Sequence, residues 1–300
     1  MKPAPFEYHR PGTVEEALEL LVRHGYDAKL LAGGQSLIPA MNFRLAQPAV
    51  LVDLGGVGEL DYVREADGLV RIGAMARQRA AERSEMVARG APLLAETLPW
   101  VAHPQIRNRG TLGGSIAHAD PAAEVPAVML ALDARFRLHG PGGGRTVRAE
   151  EFFTGLFGTA LEPEEILTQV EIPAPAPRTG WAFDEIARRH GDFALAGVAA
   201  TVTLDDGGRC ADARIALLSV GGGPVLALEA AAVLTGGEPT EEAVRAAADA
   251  VGHEIDPPSD IHASADYRRR LAEVLVRRVL PRAFERARSP SPDHKTPEVR

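Results

Sequence analysis

An α+β fold, in which two mixed lobes precede a C-terminal antiparallel sheet with helices, is predicted by three observations in this 300-residue chain. A strand, helix, strand, turn, helix, strand pattern runs from Phe6 to Asp53, and short strands alternate with helices from about Gly58 to Pro173. Longer apolar runs and two helical stretches then follow a proline-rich connector. With 45% hydrophobic residues the chain is long enough to bury a substantial core without staples.

In the first lobe, Thr13-Val14-Glu15-Glu16 has the form of a capping box: the Thr13 hydroxyl is placed to accept from the Glu16 backbone, and the Glu16 side chain reaches back. Ala17, Leu18, Leu21 and Val22 then make one apolar helix face, and Gly25 supplies the stop. The apolar runs 29–32 and 50–53, bounded by Gly-Gly and Pro, read as buried strands of one small sheet. In the second lobe strands are expected at 62–65, 69–72, 135–138 and 166–172, with helices at 77–83, 92–98 and 121–132, Pro121 opening the last. Pro141-Gly142-Gly143-Gly144 reads as a turn, and Pro173-Ala174-Pro175-Ala176-Pro177 as a stiff extended boundary. Beyond it, 181–186, 198–204 and 213–220 read as an antiparallel sheet, and 240–251 and 265 to about 287 as helices. The expected units are thus 1–57, 58–177 and 178–288, with a disordered Ser, Pro and charge-rich tail at 289–300. No internal repeat is present.

Composition narrows the function classes. A net charge of −8 and a pI near 5.6 argue against nonspecific nucleic-acid binding. The Arg268-Arg269-Arg270 and Arg277-Arg278 runs read as solvated or subunit-facing helix surface. Lys2, Lys29 and Lys295 are the only lysines, so a Schiff-base nucleophile has almost no candidate. The single Cys210 leaves no internal disulfide and no cysteine-ligated iron–sulfur cluster or zinc finger, so any such centre belongs to another polypeptide. No apolar run approaches the roughly 20 residues of a transmembrane helix, and MKPAPFEYHRPG lacks the apolar core of a signal peptide, so a cytoplasmic location is the expectation.

Two glycine-paired loops carry the binding signal. In Ala32-Gly33-Gly34-Gln35-Ser36, followed by Leu37, consecutive glycines permit positive φ and close approach, so successive N–H groups can form a concave anion nest before a short helix. The same pair also serves as a plain strand-to-helix turn. A second loop, Thr111-Leu112-Gly113-Gly114-Ser115, repeats the pattern with flanking hydroxyls, and two nests can hold a pyrophosphate. Neither has the spacing of a Walker loop or of a Rossmann fingerprint. Asp120 and Glu124, just downstream, would repel a pyrophosphate unless they face sugar or adenine donors; ribose recognition is the natural role for one of them. First-turn helix charge is the alternative reading of both.

These residues resemble the FAD-binding medium subunit of molybdenum hydroxylases, the family of aerobic carbon monoxide dehydrogenase, xanthine dehydrogenase and related aldehyde or N-heterocycle dehydrogenases. The resemblance spans nearly the whole chain. It is carried by AGGQSLIPAMNFRLAQP at 32–48, PQIRNRGTLGGSIAHADPAAEVPAVMLALDA at 104–134, EEFFTGLFGTALEPEEIL at 150–167, and Phe183 through Arg188-Arg189 to Gly191-Asp192-Phe193. It implies the FAD-binding fold of the vanillyl-alcohol oxidase (PCMH) type in two subdomains, 1–57 and 58–177, plus the C-terminal domain of this subunit at 178–288. Residues 32–36 and 111–115 would bind the pyrophosphate and ribityl region of a noncovalent FAD. Ile106 and Ala117 would lie along the flavin or its ribityl chain, and Leu161 would approach the isoalloxazine. Glu124 stands where relatives more often have Asp, Ser115 where many have Asn, and Phe193 where several have Tyr.

The implied role is an oxidoreductase subunit without a substrate acid or base and without a metal site of its own. Electrons would come from 2Fe-2S clusters on a small partner subunit and leave from FAD to an external acceptor such as NAD, a quinone or oxygen. The molybdenum cofactor would sit on a large partner, in a dimer of heterotrimers. Two alternatives stay open. A self-contained flavoenzyme, similar to UDP-N-acetylenolpyruvoylglucosamine reductase or a sugar-acid oxidase, would need a proton donor and cations such as Arg188, Arg189 and His190, a run that also reads as interface. A noncatalytic nucleotide-binding scaffold is the other.

Overall fold

The computed structural model describes residues 2–289; the predicted tail from 290 onward lies outside the described residues, and Ser289 closes the last helix. The first lobe contains β1 (Glu7–His9), α1 (Val14–His24), β2 (Ala28–Leu31), α2 (Leu37–Asn42) and β3 (Val50–Asp53). Its three strands are parallel in the order β1-β3-β2. The Thr13 side chain accepts from Glu16 N at 3.2 Å, while the Glu16 carboxylate takes Gly12 N–H at 2.7 Å, so the predicted box is displaced by one residue. Val14, Ala17, Leu18 and Leu21 bury against Val50, Val52 and Leu54, joined by Met75 and Ile166 from the second lobe. Val22, predicted on this face, is 50% exposed, because three strands cover only a narrow stripe of the helix.

The second lobe contributes β4 (Val63–Ala66), β5 (Leu69–Gly73), α3 (Gln78–Glu82), α4 (Glu85–Gly90), α5 (Pro92–Thr97), α6 (Pro104–Arg107), α7 (Leu112–His118) and α8 (Glu124–Ala131). It continues through β6 (Arg135–Gly140), β7 (Gly143–Arg148), α9 (Ala149–Phe152), β8 (Phe153–Gly155), β9 (Gly158–Thr159) and β10 (Ile166–Pro173). Five strands form an antiparallel sheet in the order β4-β5-β10-β6-β7. The Pro141–Gly144 turn shrinks to Pro141-Gly142, since Gly143 pairs with Gly140 and opens β7. Every residue of α8 is buried, as an all-round apolar helix must be.

The C-terminal domain has β11 (Thr179–Ala187), β12 (Ala194–Leu204), β13 (Cys210–Leu218), β14 (Val225–Leu226), α10 (Leu228–Leu234), α11 (Glu241–Glu254) and α12 (Ala265–Arg288). Its sheet runs β11-β12-β13-β14, antiparallel throughout. Phe183, Ala199, Ala216 and Leu218 face the α8 core, whereas Ala182, Val198, Ala200, Ile215 and Leu217 face α12. Both faces are covered, so β12 is a nearly unbroken apolar run rather than an alternating one.

The predicted surface role of Arg268-Arg269-Arg270 is corrected. Arg268 is buried, donating to Leu195 O at 2.7 Å and to Asp260 at 2.8 Å, and Arg269 donates to the Gly252 and Ile255 carbonyls; these guanidiniums satisfy carbonyls at the start of β12 and at the end of α11. Arg270 and the Arg277-Arg278 pair are exposed. No helix among the described residues is long and apolar enough to cross a membrane.

Candidate functional site

The two glycine loops meet. A Cβ on Gly33 would stand 2.6 Å from Arg109 O and 2.7 Å from Gly110 Cα, and one on Gly114 would stand 3.2 Å from Ala32 Cβ. Backbone from the two lobes is therefore in direct contact, and only glycine fits at the contact. Ile106, half-buried in α6, accepts Gly110 N–H at 2.7 Å and so adjoins the same junction.

The first loop keeps the character of a nest. Gly34 has φ 76°, Gln35 donates its side-chain amide to Gly33 O, and Ser36 precedes α2 without its hydroxyl capping that helix. Among the described residues no protein acceptor meets the N–H groups of Gly34, Gln35 or Ser36. Ala32 and Leu37 flank it, both half-buried.

The second loop is corrected from a nest to a helix start. Leu112–Ser115 form the first turn of α7, and their N–H groups are committed to Ala76 O, Ala74 O, Thr111 Oγ1 and Thr111 O. Gly113 and Gly114 have ordinary negative φ and are glycines for closeness: a Cβ on Gly113 would lie 2.5 Å from Ala74 Cβ. What this segment offers a ligand is the half-buried Ser115 side chain and the exposed Ala117.

Pro121 does not open α8. Asp120 Oδ1 accepts Ala122 N–H and Asp120 O accepts Ala123 N–H, a local turn that delays the helix to Glu124. Glu124 is 7% exposed, and burial pushes its carboxyl up to about 7, with Asp120 adding to the rise and Arg107 opposing it. His118 is held below its ordinary value, first by burial and then by Lys29, against Asp120. Its ring lies 5.2 Å from that of Phe157 at the β8–β9 hairpin, which brings the hairpin against the end of α7. Leu161, two residues beyond β9, packs half-buried on the central core. The loops, Ile106 and Ser115 share one junction; Leu161 lies beyond the hairpin.

Two buried ionisable side chains escaped the sequence reading. Arg107, 4% exposed, donates to the carbonyls of Val101 at 2.9 Å and of Pro99 and Ala102 at 3.3 Å, and to Glu82 at 2.9 Å, fixing the turn that leads into the second loop. Glu185 on β11 is pushed up to about 9, chiefly by burial and then by Glu124 and Asp184. In sequence Arg107 looked like one more arginine, and Glu185 occupied an alternating strand position that normally reads as apolar or exposed. A cavity of about 420 Å³ between α11 and α12, lined by Asp249, His253, Arg269 and Glu273, lies apart from all of these residues.

Family models settle the assignment. Residues 4–175 match the FAD binding domain in molybdopterin dehydrogenase, and residues 181–283 match the CO dehydrogenase flavoprotein C-terminal domain. The chain belongs to the FAD-binding subunit family of the molybdenum hydroxylases. It is 43% identical to the carbon monoxide dehydrogenase medium chain of Hydrogenophaga pseudoflava over 95% of this chain and 99% of that one. To the 6-hydroxypseudooxynicotine dehydrogenase complex subunit alpha of Paenarthrobacter nicotinovorans it is 42% identical, over 96% and 97%. A solved carbon monoxide dehydrogenase from H. pseudoflava, lacking the Mo-pyranopterin moiety of its cofactor, superposes with a TM-score of 0.94 at 45% identity, covering 95% and 99%. FAD is the cofactor of this family, and its members are oxidoreductase subunits.

Proposed function

We propose that this chain holds FAD at the junction of the two glycine loops and passes electrons from iron–sulfur clusters on a small partner subunit to an external acceptor. The observation that carries the site is the backbone contact of Gly33 with Arg109 to Thr111, beside three unpaired N–H groups. A pyrophosphate suits that nest, because N–H donors stabilise anionic oxygens without a buried cation. The bound flavin would supply a carrier able to take electrons singly and release them in pairs.

The residues of this chain would bind and orient. Gly34, Gln35 and Ser36 offer backbone donors, Ser36 and Ser115 offer hydroxyls, and Glu124 offers a carboxyl to the ribose side. Ile106, Ala117 and Leu161 would line the flavin's apolar length, and Thr111, Gly113 and Gly114 set the approach of α7. Asp120, its carboxylate engaged at Ala122, would shape the turn rather than contact ribose. Substrate hydroxylation would take place on a large molybdenum-bearing subunit, in a dimer of heterotrimers. The lone, buried Cys210 fits this division, because the clusters that feed FAD need several thiolates.

Coexpression with the neighbouring subunits tests the reading: a yellow complex containing molybdenum and iron, whose flavin band bleaches when the iron–sulfur centre is reduced, is expected. Substrate turnover by the isolated chain would instead establish a self-contained flavoenzyme.

A further inference from the structure

The second glycine loop is braced by a segment that FAD binding, as described above, leaves unused. Residues 74–78, running from the end of β5 into α3, lie antiparallel to it around the bridged pair Arg77 and Thr111. Gln78 N–H donates to Gly110 O at 2.9 Å, Leu112 N–H to Ala76 O at 3.1 Å and Gly113 N–H to Ala74 O at 3.0 Å. The same segment is anchored in the first lobe, where Met75 joins the α1 core and donates its N–H to Leu60 O at 2.9 Å. Arg77 donates its guanidinium to Arg109 O, the carbonyl that a Cβ on Gly33 would meet at 2.6 Å.

Gln78 is the anomaly in this segment. It is 4% exposed, and its Oε1 is buried without a hydrogen-bond partner among the described residues. An unpaired buried oxygen costs stability, so hydrogen bonding does not account for the place of this oxygen. Its contact with Gly110 does. A Cβ on Gly110 would lie 2.6 Å from Gln78 Oε1, 3.1 Å from its Cδ and 3.2 Å from Ile106 O, so the amide fills the space beside the Gly110 Cα. That Cα is also 2.7 Å from the Cβ position of Gly33, so Gly110 is held by the first loop and by Gln78 together. The next residue, Thr111, has its N atom 3.1 Å from the same Gly33 position, and its N–H meets no protein acceptor among the described residues. The seat of Gly110 therefore sets where a further free donor stands relative to those of Gly34, Gln35 and Ser36.

We propose that Gln78 is the positioning residue of the junction: its buried amide seats Gly110 against Gly33 and so aims the Thr111 N–H at the anionic part of the cofactor. The aim at FAD rests on the reading of the two loops given above; the seating of Gly110 does not.

A double-mutant cycle on the full chain tests the assignment, read by FAD affinity and by the phosphorus NMR spectrum of the bound pyrophosphate. Gly110→Ala drives a methyl group into the Gln78 amide and is expected to weaken FAD by about tenfold or more, the scale of an overpacked contact. Gln78→Ala unseats Gly110 and should shift the phosphorus resonances. The double variant puts the methyl group where the amide was, so it is expected to bind FAD about tenfold more tightly than Gly110→Ala and to move the spectrum back toward the wild type. Thr97→Val is the control for plain loss of stability, because it removes a buried hydrogen bond of the same lobe, from Thr97 Oγ1 to Leu93 O at 2.9 Å. It should lower the denaturant midpoint and leave the phosphorus spectrum unmoved. Additive losses in the cycle, or a spectrum that Gln78→Ala does not move or that Thr97→Val moves equally, would overturn the proposal. A wild type that never binds FAD would sink the cofactor reading alone, and the denaturant midpoints of the same variants would then decide the seating: a double variant more stable than Gly110→Ala supports it, and additive losses overturn it. Should Gly110→Ala fail to fold, a folded double variant is itself the rescue. If Gln78→Ala and the double variant also fail, hydrogen exchange in the wild type decides: slower exchange of the Thr111 amide on adding FAD supports the aimed N–H, and unchanged exchange overturns it.

Discussion

Gly33 and Gly34 are adjacent, yet different forces make each a glycine. Gly33 has an ordinary backbone conformation and is hemmed in by Arg109 O and Gly110 Cα, whereas Gly34 is held at φ 76° and a Cβ added there would meet only side chains, Ile38 Cγ1 at 3.2 Å and Leu31 Cδ1 at 3.4 Å. Gly33→Ala must push the two loops apart, an overpacking worth about 1–3 kcal/mol, while Gly34→Ala meets mainly left-handed backbone strain of about 1–2 kcal/mol. Gly33→Ala is therefore expected to lose more flavin per chain after gel filtration than Gly34→Ala, with denaturant midpoints lowered in both. Full flavin content in Gly33→Ala would show that the loop contact does not shape the cradle. Thr111 makes a separable contribution, because its side chain caps α7 by accepting Gly114 N–H at 3.0 Å. Thr111→Ala should cost about 1 kcal/mol of unfolding free energy, the usual value of such a cap.

At the scale of elements, Arg107 is the residue on which the entry to α7 depends. Truncation to Ala would leave three carbonyls and the Glu82 carboxylate without their buried cation, a loss of about 3–5 kcal/mol. Burial acts to raise the Glu82 pKa, but hydrogen bonds from Arg107 and Arg79 outweigh it and hold the group below its ordinary value. The pair's stabilisation is thus present above the ordinary carboxylate range and lost as acid titrates Glu82 through its lowered value. Arg107→Ala should accordingly be destabilised at neutral pH and lose less on further acidification than the wild type does; parallel acid profiles in urea titrations would count against the pair. Such tertiary partners explain which parts of the molecule were legible in sequence. α1, β3 and α12 were readable because caps, punctuation and periodicity are local signals. β7 was not, because an exposed edge strand opening with Gly143-Gly144 carries no alternation, and α7 was not, because Gly113-Gly114 resembles a loop until Thr111 and Ala74 are seen against it. At the site, the meeting of Gly33 with Gly110 was foreshadowed by the repeated motif, whereas the commitment of the Leu112 and Gly113 N–H groups depends on Ala76 and Ala74, more than thirty residues upstream.

Across the whole molecule, the FAD-binding lobe and the C-terminal domain share apolar core and a polar clamp. Phe183, Ala199, Ala216 and Leu218 from the C-terminal sheet lie in one cluster with α8, Leu93 and Leu94. Beside it, Glu96 on α5 accepts from Arg282 at 2.9 Å and from Arg286, both on α12, and Arg286 also donates to Trp181 O. The arginines are 42% and 38% exposed, so solvent screening discounts the pairs, and Glu96→Ala should cost only about 1–2 kcal/mol. The apolar part of the junction remains after that change, and at 25 cal/mol per Å² even a few buried side chains outweigh the clamp. Glu96→Ala is therefore expected to unfold in one calorimetric transition, shifted down by about 2–5 °C, with the two domains still cooperative. Two separated transitions would mean that the clamp, and not the shared core around α8, couples the domains.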